Sequence, residues 1–280
     1  MPAFHPNHHA VFGFPIAHSR SPFIHAMFGR QCGVELVYDR IEAAPEGFAK
    51  ALEDFRAQGG WGANVTLPLK ELAASLCGEL SPAARLAGAV NTLCWRQDHW
   101  FGDNTDGAGL VRDIEVNLDW PLHGRRVLVL GAGGAARGVV PALFEAGIAE
   151  LVIANRTPER ARQLADDLAI AGSIRVLAFD ALMEAGNFDL ILNATSAGRS
   201  GPELALPPSL PAAGALCYDL SYGTAAQPFL EWAMKNPATL ASDGLGMLVE
   251  QAALAFALWH GQVPQTPPML AALRSELAQR

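Results

Sequence analysis

The sequence predicts an α/β protein of two domains, the second a doubly wound parallel sheet. Three observations predict it. The apolar, β-branched run RVLVL at 126–130 enters the turn Gly131-Ala132-Gly133-Gly134, and a helical pattern leaves it. LVIANRT then follows at the spacing of a βαβ unit. More than a hundred residues with their own strand–helix alternation precede the turn. At 280 residues, 50% hydrophobic and 17% charged, the chain is long enough for two cores.

In the first part, AVFGF (10–14) has the pattern of a strand, and Pro22 starts a helix to about Gln31. ELVYDRI (35–41) predicts a strand and FAKALEDFRA (48–57) a helix. WGANVT (61–66) is a short strand with polar groups at its C-terminal end, and a helix begins near Pro68. Ser81-Pro82 marks another helix start with Ser81 as cap. AVNTLCW and HWFGDN, parted by Arg96-Gln97-Asp98, predict a hairpin. A helix is expected from Asn104 to about Asn117.

From Arg125 the pattern is strand 126–130, helix 133–147, strand 150–155, helix 158–171, then strands 174–178 and 188–192. Strands near 215–220 and 238–241 follow, and 244–278 is helical, broken by a turn between Gly261 and Pro268. Pro141 falls inside the helix after the glycine turn, where it removes a hydrogen bond, so a kink is expected there.

The strand–turn–helix context is what a dinucleotide fingerprint requires. Gly131 permits a tight turn, Gly133 lets the backbone approach a pyrophosphate, and the helix N-terminus offers N–H groups to that anion. The next strand does not end on the acid that would accept a ribose 2′-hydroxyl. Asn155, Arg156 and Thr157 stand there, with Arg160 one turn on. A guanidinium in that place suits a 2′-phosphate, so the expected cofactor is NADP.

A net charge of −8 with no basic run argues against a nucleic-acid partner. Cys32, Cys77, Cys94 and Cys217 are scattered with no CxxC and read as small hydrophobes in a reducing compartment. The polar, His-rich residues 1–10 do not form a signal peptide, and no uncharged apolar run reaches the ~20 residues of a membrane span. A cytoplasmic protein with no membrane contact is expected. On that footing the Asn-x-Thr sequences at Asn64, Asn155 and Asn193 are not glycosylation sites. His5, His8 and His9 resemble a metal cluster but fit an untethered terminus better, and no metal is expected.

Four polar clusters precede the fingerprint: HSRSP (18–22), NVTLPLK (64–70), VNT (90–92) and DNTDG (103–107). They fall at strand ends and turns, where open α/β sheets place their sites. Each has a plain structural alternative. Lys70 near a helix start reads equally as a solvated surface lysine, and Asp106 as a favourable first-turn acid. Ser19 and Ser21 can decorate the turn before Pro22, and Asn64, Asn91 and Asn104 can satisfy turn backbones. His18 and His25 are seven apart, the spacing of one helix face, and read first as structural. The chemistry of a nicotinamide enzyme separates these readings. Hydride delivery to a ketone leaves an alkoxide, which a cationic lysine can polarise and protonate. A nearby carboxylate holds the ammonium, and a polyhydroxylated substrate needs hydroxyl and amide partners of the kind these clusters supply.

Together the motifs FPIAHSRSP, GANVTLPLKE, GAVNTL, GDNTDG, VLGAGGAARG, NRT, NATSAG and DGLGMLVEQ resemble the shikimate dehydrogenase family, in the family's order and over nearly the whole chain. The resemblance implies reduction of 3-dehydroshikimate to shikimate with NADPH, in aromatic amino-acid biosynthesis. It implies Lys70 and Asp106 as catalytic pair, and Ser19 and Ser21 as hydroxyls for the substrate carboxylate. Thr66, Asn91 and Gln251 match partners of the ring hydroxyls. Gly131, Gly133, Gly134 and Ala135 match the pyrophosphate loop, and Asn155, Arg156, Thr157 and Arg160 the 2′-phosphate clamp. Thr195 and Gly244 match segments lining the ribose and nicotinamide.

Two positions depart from the family pattern. Tyr222, matched to the substrate carboxylate, is followed by Gly223-Thr224 in place of a frequent Asn-Pro, and Ala26 replaces a common asparagine. The implied layout is an N-terminal α/β substrate domain, residues 1–105 with 245–280, and a Rossmann-type doubly wound NADP-binding domain, residues 106–244, with a cleft between them. The expected assembly is a monomer or homodimer. Two alternatives stay open: a quinate or dual quinate/shikimate dehydrogenase, and a catalytically silent NADP-binding sensor. The compact Ser19/Ser21 pair and the Arg156/Arg160 clamp argue against the first, and the presence of both Lys70 and Asp106 against the second.

Overall fold

Apolar runs punctuated by glycine and proline build two separate six-stranded sheets in a computed structural model that describes residues 7–169, 171–195, 205–237 and 239–278. The chain divides into a first unit, Met1–Gly109 with Val249–Arg280, and a second, Leu110–Leu248.

The first unit runs β1 (His8–Gly13), α1 (Ser21–Cys32), β2 (Val37–Glu42), α2 (Phe48–Ala57), β3 (Gly62–Val65), α3 (Lys70–Ser75), β4 (Glu79–Leu80), α4 (Pro82–Ala87), β5 (Thr92–Arg96), β6 (His99–Asp103) and the start of α5 (Asp106–Arg112). Its sheet has the order β2-β1-β3-β5-β6-β4. Strand β1 pairs in parallel with β2 and β3, whereas β5 runs antiparallel to both β3 and β6. That reversal positions the site. Asn64 pairs with Thr92 and Thr92 with Asp103, so the end of β3, the start of β5 and the end of β6 lie side by side. The face is packed by Ala10, Phe12, Phe48, Leu52 and Phe55, all buried. Full burial of a ring such as Phe12 contributes about 1.5–3 kcal/mol.

Several sequence expectations are refined. Ser81 caps α4 through the Ala84 N–H at 3.0 Å. The hairpin turn has two residues, Gln97 and Asp98, both at positive φ, because Arg96 pairs with His99. Strand β4 is too short to show a period in the sequence. Helix α3 begins at Lys70, two residues past Pro68. The expectation of an untethered terminus is wrong for His8 and His9. They open β1, pairing with Val37 and Gly62, and His9 is fully buried against Trp259 and His260. His5 lies outside the described residues.

The second unit contains β7 (Arg126–Leu130), α6 (Gly134–Glu145), β8 (Glu150–Asn155), α7 (Pro158–Asp167), β9 (Ile174–Ala178), β10 (Phe188–Asn193), β11 (Pro211–Asp219), α8 (Gln227–Met234) and β12 (Leu240–Asp243). All strands are parallel, in the order β12-β11-β10-β7-β8-β9. From β7 the chain steps outward through β8 and β9, then returns to β10 and steps out the other way. The switch point lies between β7 and β10, where ligands of such sheets bind. Valines and leucines of β7, and their neighbours on β8 and β10, are fully buried, as a sheet covered on both faces requires. Helix α6 continues through the buried Pro141 to Glu145. Helix α8 is an addition to the sequence expectations, because its short pattern follows the turn residues Gly223-Thr224.

Helix α9 (Leu245–His260) belongs to the second unit up to Leu248 and to the first from Val249, where α10 (Thr266–Ala278) joins it. The division after Gly109 keeps Asp106 in the first unit, four residues beyond the break expected from sequence. Gly109 fits there by close approach, since a Cβ would meet Gln251 Cβ and backbone N at 2.8 Å. In the second unit, Gly246 lies against the buried Asp113, whose carboxylate accepts from Tyr218 Oη at 2.6 Å and Asn117 Nδ2 at 2.8 Å. A Cβ on Gly246 would fall inside that carboxylate. Gly246→Ala is therefore expected to destabilise the second unit by about 2–3 kcal/mol. A thermal melt superposable on the parent would show that Asp113 turns aside without cost.

Candidate active site

In the first unit, the sheet edge formed by β3, β5 and β6 gathers one hydrogen-bonded group. Lys70, the first residue of α3, points its Nζ at Asp106 Oδ2, 2.5 Å away. Both side chains are largely enclosed, at 13% and 7% exposure, so the pair is not a solvated surface bridge. An ammonium at a helix start opposes the dipole, and the Asp106 carboxylate offsets that. Asp106 Oδ1 accepts from Asn91 Nδ2 at 2.8 Å, and the Asp106 N–H donates to Asn104 Oδ1 at 3.1 Å. Asn91 is itself fixed. Its Oδ1 accepts the Thr105 N–H at 2.9 Å, which forces Nδ2 toward Asp106, Thr105 Oγ1 and Gln251 Oε1. Thr105 Oγ1 donates to the Gln251 carbonyl at 3.1 Å and ties α9 to this edge.

The expected carboxylate hydroxyls form a second group. Strand β1 ends at the Phe14–Pro15 turn, and Ser19 Oγ donates to Ser21 Oγ at 3.2 Å. Arg40 donates Nε and Nη2 to the Ser19 carbonyl at 3.0 and 2.7 Å, so a cation backs this turn. Thr66 follows β3, its Cγ2 pressed on the bare Cα of Gly13.

The second unit collects its polar groups at the carboxyl ends of parallel strands. Gly131 has φ +103, and a Cβ on it would meet the Ala194 backbone and Thr195 Cγ2 at 3.1 Å. Thr195 thus sits beside the glycine turn at the switch point. Thr195 Oγ1 donates to Asn193 Oδ1 at 2.7 Å, and Asn193 Nδ2 donates to Asp219 Oδ2 at 2.7 Å. Burial pushes the Asp219 carboxyl up to about 6, against the Ser221 and Asn193 hydrogen bonds that favour the charged form. Gly244 approaches the Leu220 carbonyl so closely that a Cβ would collide with it. Tyr222 opens the turn after β11.

A dinucleotide phosphate fits this unit. Gly133, at the N-cap of α6, has extended backbone, and no side chain caps the first N–H groups of the helix. A Cβ built on Gly133 or Gly134 would meet nothing within 4 Å. Packing within the unit does not demand glycine there, and the open space admits an anion to Gly134, Ala135 and their N–H groups. Arg156, Thr157 and Arg160 are positioned at the end of β8 and the start of α7, with both arginines exposed and Asn155 Nδ2 donating to the Thr157 carbonyl at 2.8 Å. Among the described residues neither arginine has an ion-pair partner, so both guanidiniums are available to a phosphate.

The hydrogen-bonded network around Asn91 in the first unit also takes in Asn64, Thr105 and Tyr38, which the family resemblance does not imply. Asn64 carried a signal, a polar residue at the buried end of an apolar strand. Tyr38 carried none, since the partly exposed β2 shows only alternation. No helix of the described residues is long and apolar enough to cross a membrane.

A parallel sheet with a phosphate-ready glycine turn, joined in one chain to an enclosed lysine–carboxylate pair, is the build of a nicotinamide-dependent oxidoreductase. Comparison with known proteins agrees. Residues 11–93 match the family model described as shikimate dehydrogenase substrate binding domain, 115–200 match shikimate/quinate 5-dehydrogenase, and 244–274 match the shikimate 5′-dehydrogenase C-terminal domain. The chain is 57% identical over 269 residues to shikimate dehydrogenase (NADP(+)) of Xanthomonas campestris pv. campestris strain 8004, covering 95% of each chain. Shikimate 5-dehydrogenase from Thermus thermophilus, solved with NADP(H) and shikimate, superposes with a TM-score of 0.85 at 37% identity, over 96% of this chain and 98% of that one. A 5-ketofructose reductase of a Gluconobacter strain superposes with a TM-score of 0.82 at 27% identity, over 98% of this chain and 99% of that one. The chain belongs to the shikimate dehydrogenase family.

Proposed function

We propose that the chain catalyses the reversible NADPH-dependent reduction of 3-dehydroshikimate to shikimate, a step toward chorismate and the aromatic amino acids. The observation that carries this reading is the enclosed Lys70–Asp106 pair, with Asn91 donating both to Asp106 and to Gln251. NADPH, when bound, supplies the hydride. Lys70 polarises the ketone and delivers the proton that completes the alcohol. Asp106 holds the ammonium through Oδ2 and accepts a ring hydroxyl, while Asn91 fixes its other oxygen.

Ser19 and Ser21 bind the substrate carboxylate, joined by Tyr222, and Thr66, Asn91 and Gln251 take the ring hydroxyls. Gly131, Gly133, Gly134 and Ala135 hold the pyrophosphate. Asn155, Arg156, Thr157 and Arg160 hold the 2′-phosphate, and Thr195 and Gly244 line the ribose and nicotinamide. Residues 1–105 with 245–280 serve as substrate domain and 106–244 as cofactor domain. The chain works in the cytoplasm as a monomer or homodimer. The 57% identity to an NADP(+) shikimate dehydrogenase weighs against the quinate reading, and the intact Lys70–Asp106 pair against a silent sensor.

The test is loss of NADPH absorbance on adding 3-dehydroshikimate, with a parallel arm of quinate and NAD. Turnover only in the second arm would sink the reading. Arg156→Ala is expected to raise the KM for NADPH roughly tenfold or more while leaving that for NADH nearly unchanged, as loss of a charge-assisted phosphate contact does. Equal shifts for both cofactors would move the clamp elsewhere.

A further inference from the structure

Behind the expected substrate residues of the first unit stands a stacked pair, His25 and Tyr38, with ring centroids 4.5 Å apart and planes 10° from parallel. Both aim at one atom. Tyr38 Oη lies 2.7 Å and His25 Nε2 3.1 Å from Asn64 Oδ1. On its other side Asn64 Nδ2 lies 3.3 Å from the Asn91 carbonyl and 3.2 Å from Thr92 Oγ1. A backbone carbonyl only accepts, so the amide nitrogen faces Asn91 and the oxygen faces the two rings. Both rings therefore donate. His25 must be the neutral tautomer with its proton on Nε2, and Asn64 has every hydrogen-bonding position filled. Thr92 Oγ1, receiving from Asn64, donates onward to Asn91 Oδ1 at 2.9 Å. Asn91 then donates to Asp106 at 2.8 Å.

We propose that His25 and Tyr38 are positioning residues for the Lys70–Asp106 pair, acting through Asn64 on Asn91. They do not touch the reacting atoms. Their two hydrogen bonds lock the Asn64 amide, and the locked amide holds Asn91 by its backbone carbonyl and, through Thr92, by its side chain. Asn91 in turn sets the carboxylate that holds Lys70.

The catalytic part rests on the function proposed above, so two readouts are paired. In the first, Tyr38→Phe keeps the ring and the stack but removes the hydroxyl, and is expected to lower kcat about tenfold, the scale of a lost buried hydrogen bond. His25→Leu is expected to lower kcat similarly with KM unchanged and to shift a limb of the kcat–pH profile. His25→Gln, whose amide can still donate to Asn64, restores both in part. In the second readout, which needs no turnover, Tyr38→Phe is expected to move the Asn91 side-chain amide resonances and speed their exchange. Parental kcat and pH profile in both Tyr38→Phe and His25→Leu would overturn the proposal, as would unmoved Asn91 amide signals. An inactive parent would instead overturn the assigned reaction, and the amide signals would still decide whether the rings hold Asn91.

Discussion

Lys70→Ala is expected to lower kcat for 3-dehydroshikimate reduction by at least ~100-fold, the usual worth of a positioned acid–base group, with little change in substrate KM. The expectation follows from where the lysine sits. Its Nζ is held 2.5 Å from Asp106 in an enclosed site, and Asp106 is held in turn by Asn91. The ring-hydroxyl and carboxylate contacts come from other residues, so truncating Lys70 removes the proton and the positive field while leaving those contacts standing. A deep fall in kcat/KM carried wholly by KM would assign Lys70 to binding. Near-normal kcat would remove it from the mechanism. Lys70→Ala also strips a buried carboxylate of its cation, which costs stability. The kinetic comparison therefore belongs at a temperature where both proteins are fully folded by circular dichroism.

The sequence shows much of this site because its residues occupy turns and strand ends, where a polar side chain has no packing reason to be. Lys70, Asn91 and Asp106 stand out for that reason, and so does the glycine turn after an apolar run. The structure adds the reason they meet: β5 runs against β3, which no local pattern near Thr92 reveals. It also separates two kinds of glycine that look alike in the sequence. Gly131 and Gly244 are demanded by close backbone approach, whereas Gly133 and Gly134 face open space that fits a ligand. Tyr38 does not stand out because a tyrosine in an edge strand is ordinary, and only the register of β1 with β2 and β3 brings it to Asn64. His9 misleads for a related reason. Three histidines in the first nine residues suggest a loose, polar end, yet burial of His9 depends on Trp259 and His260, some 250 residues later.

That burial makes the first unit acid-sensitive. His9 and His25 are fully enclosed, and each has its pKa lowered from 6.5 to about 3, chiefly by burial. The groups around them reinforce this. His260 and His8 repel a charge on His9 against a smaller opposing effect of the Asn7 backbone, and His9 and His260 repel a charge on His25 against the Asn64 hydrogen bond. His260 is itself shifted down by burial. In the unfolded chain the rings titrate near the ordinary value. Between pH 6.5 and about 3 the unfolded state therefore binds protons that the folded state refuses. Stability is full above pH 6.5 and falls as the pH drops below it, by about 1.4 kcal/mol per pH unit for each ring. From pH 8 to pH 5 the two rings together take away about 4 kcal/mol. Urea unfolding followed by tryptophan fluorescence at both pH values reads this directly, with Trp259 packed on His9 as reporter. His9→Phe, which keeps an aromatic ring against Trp259 and cannot be protonated, is expected to remove about half of the loss. An acid loss unchanged in His9→Phe would mean that the ring is already protonated, or hydrated, in the folded protein at pH 5.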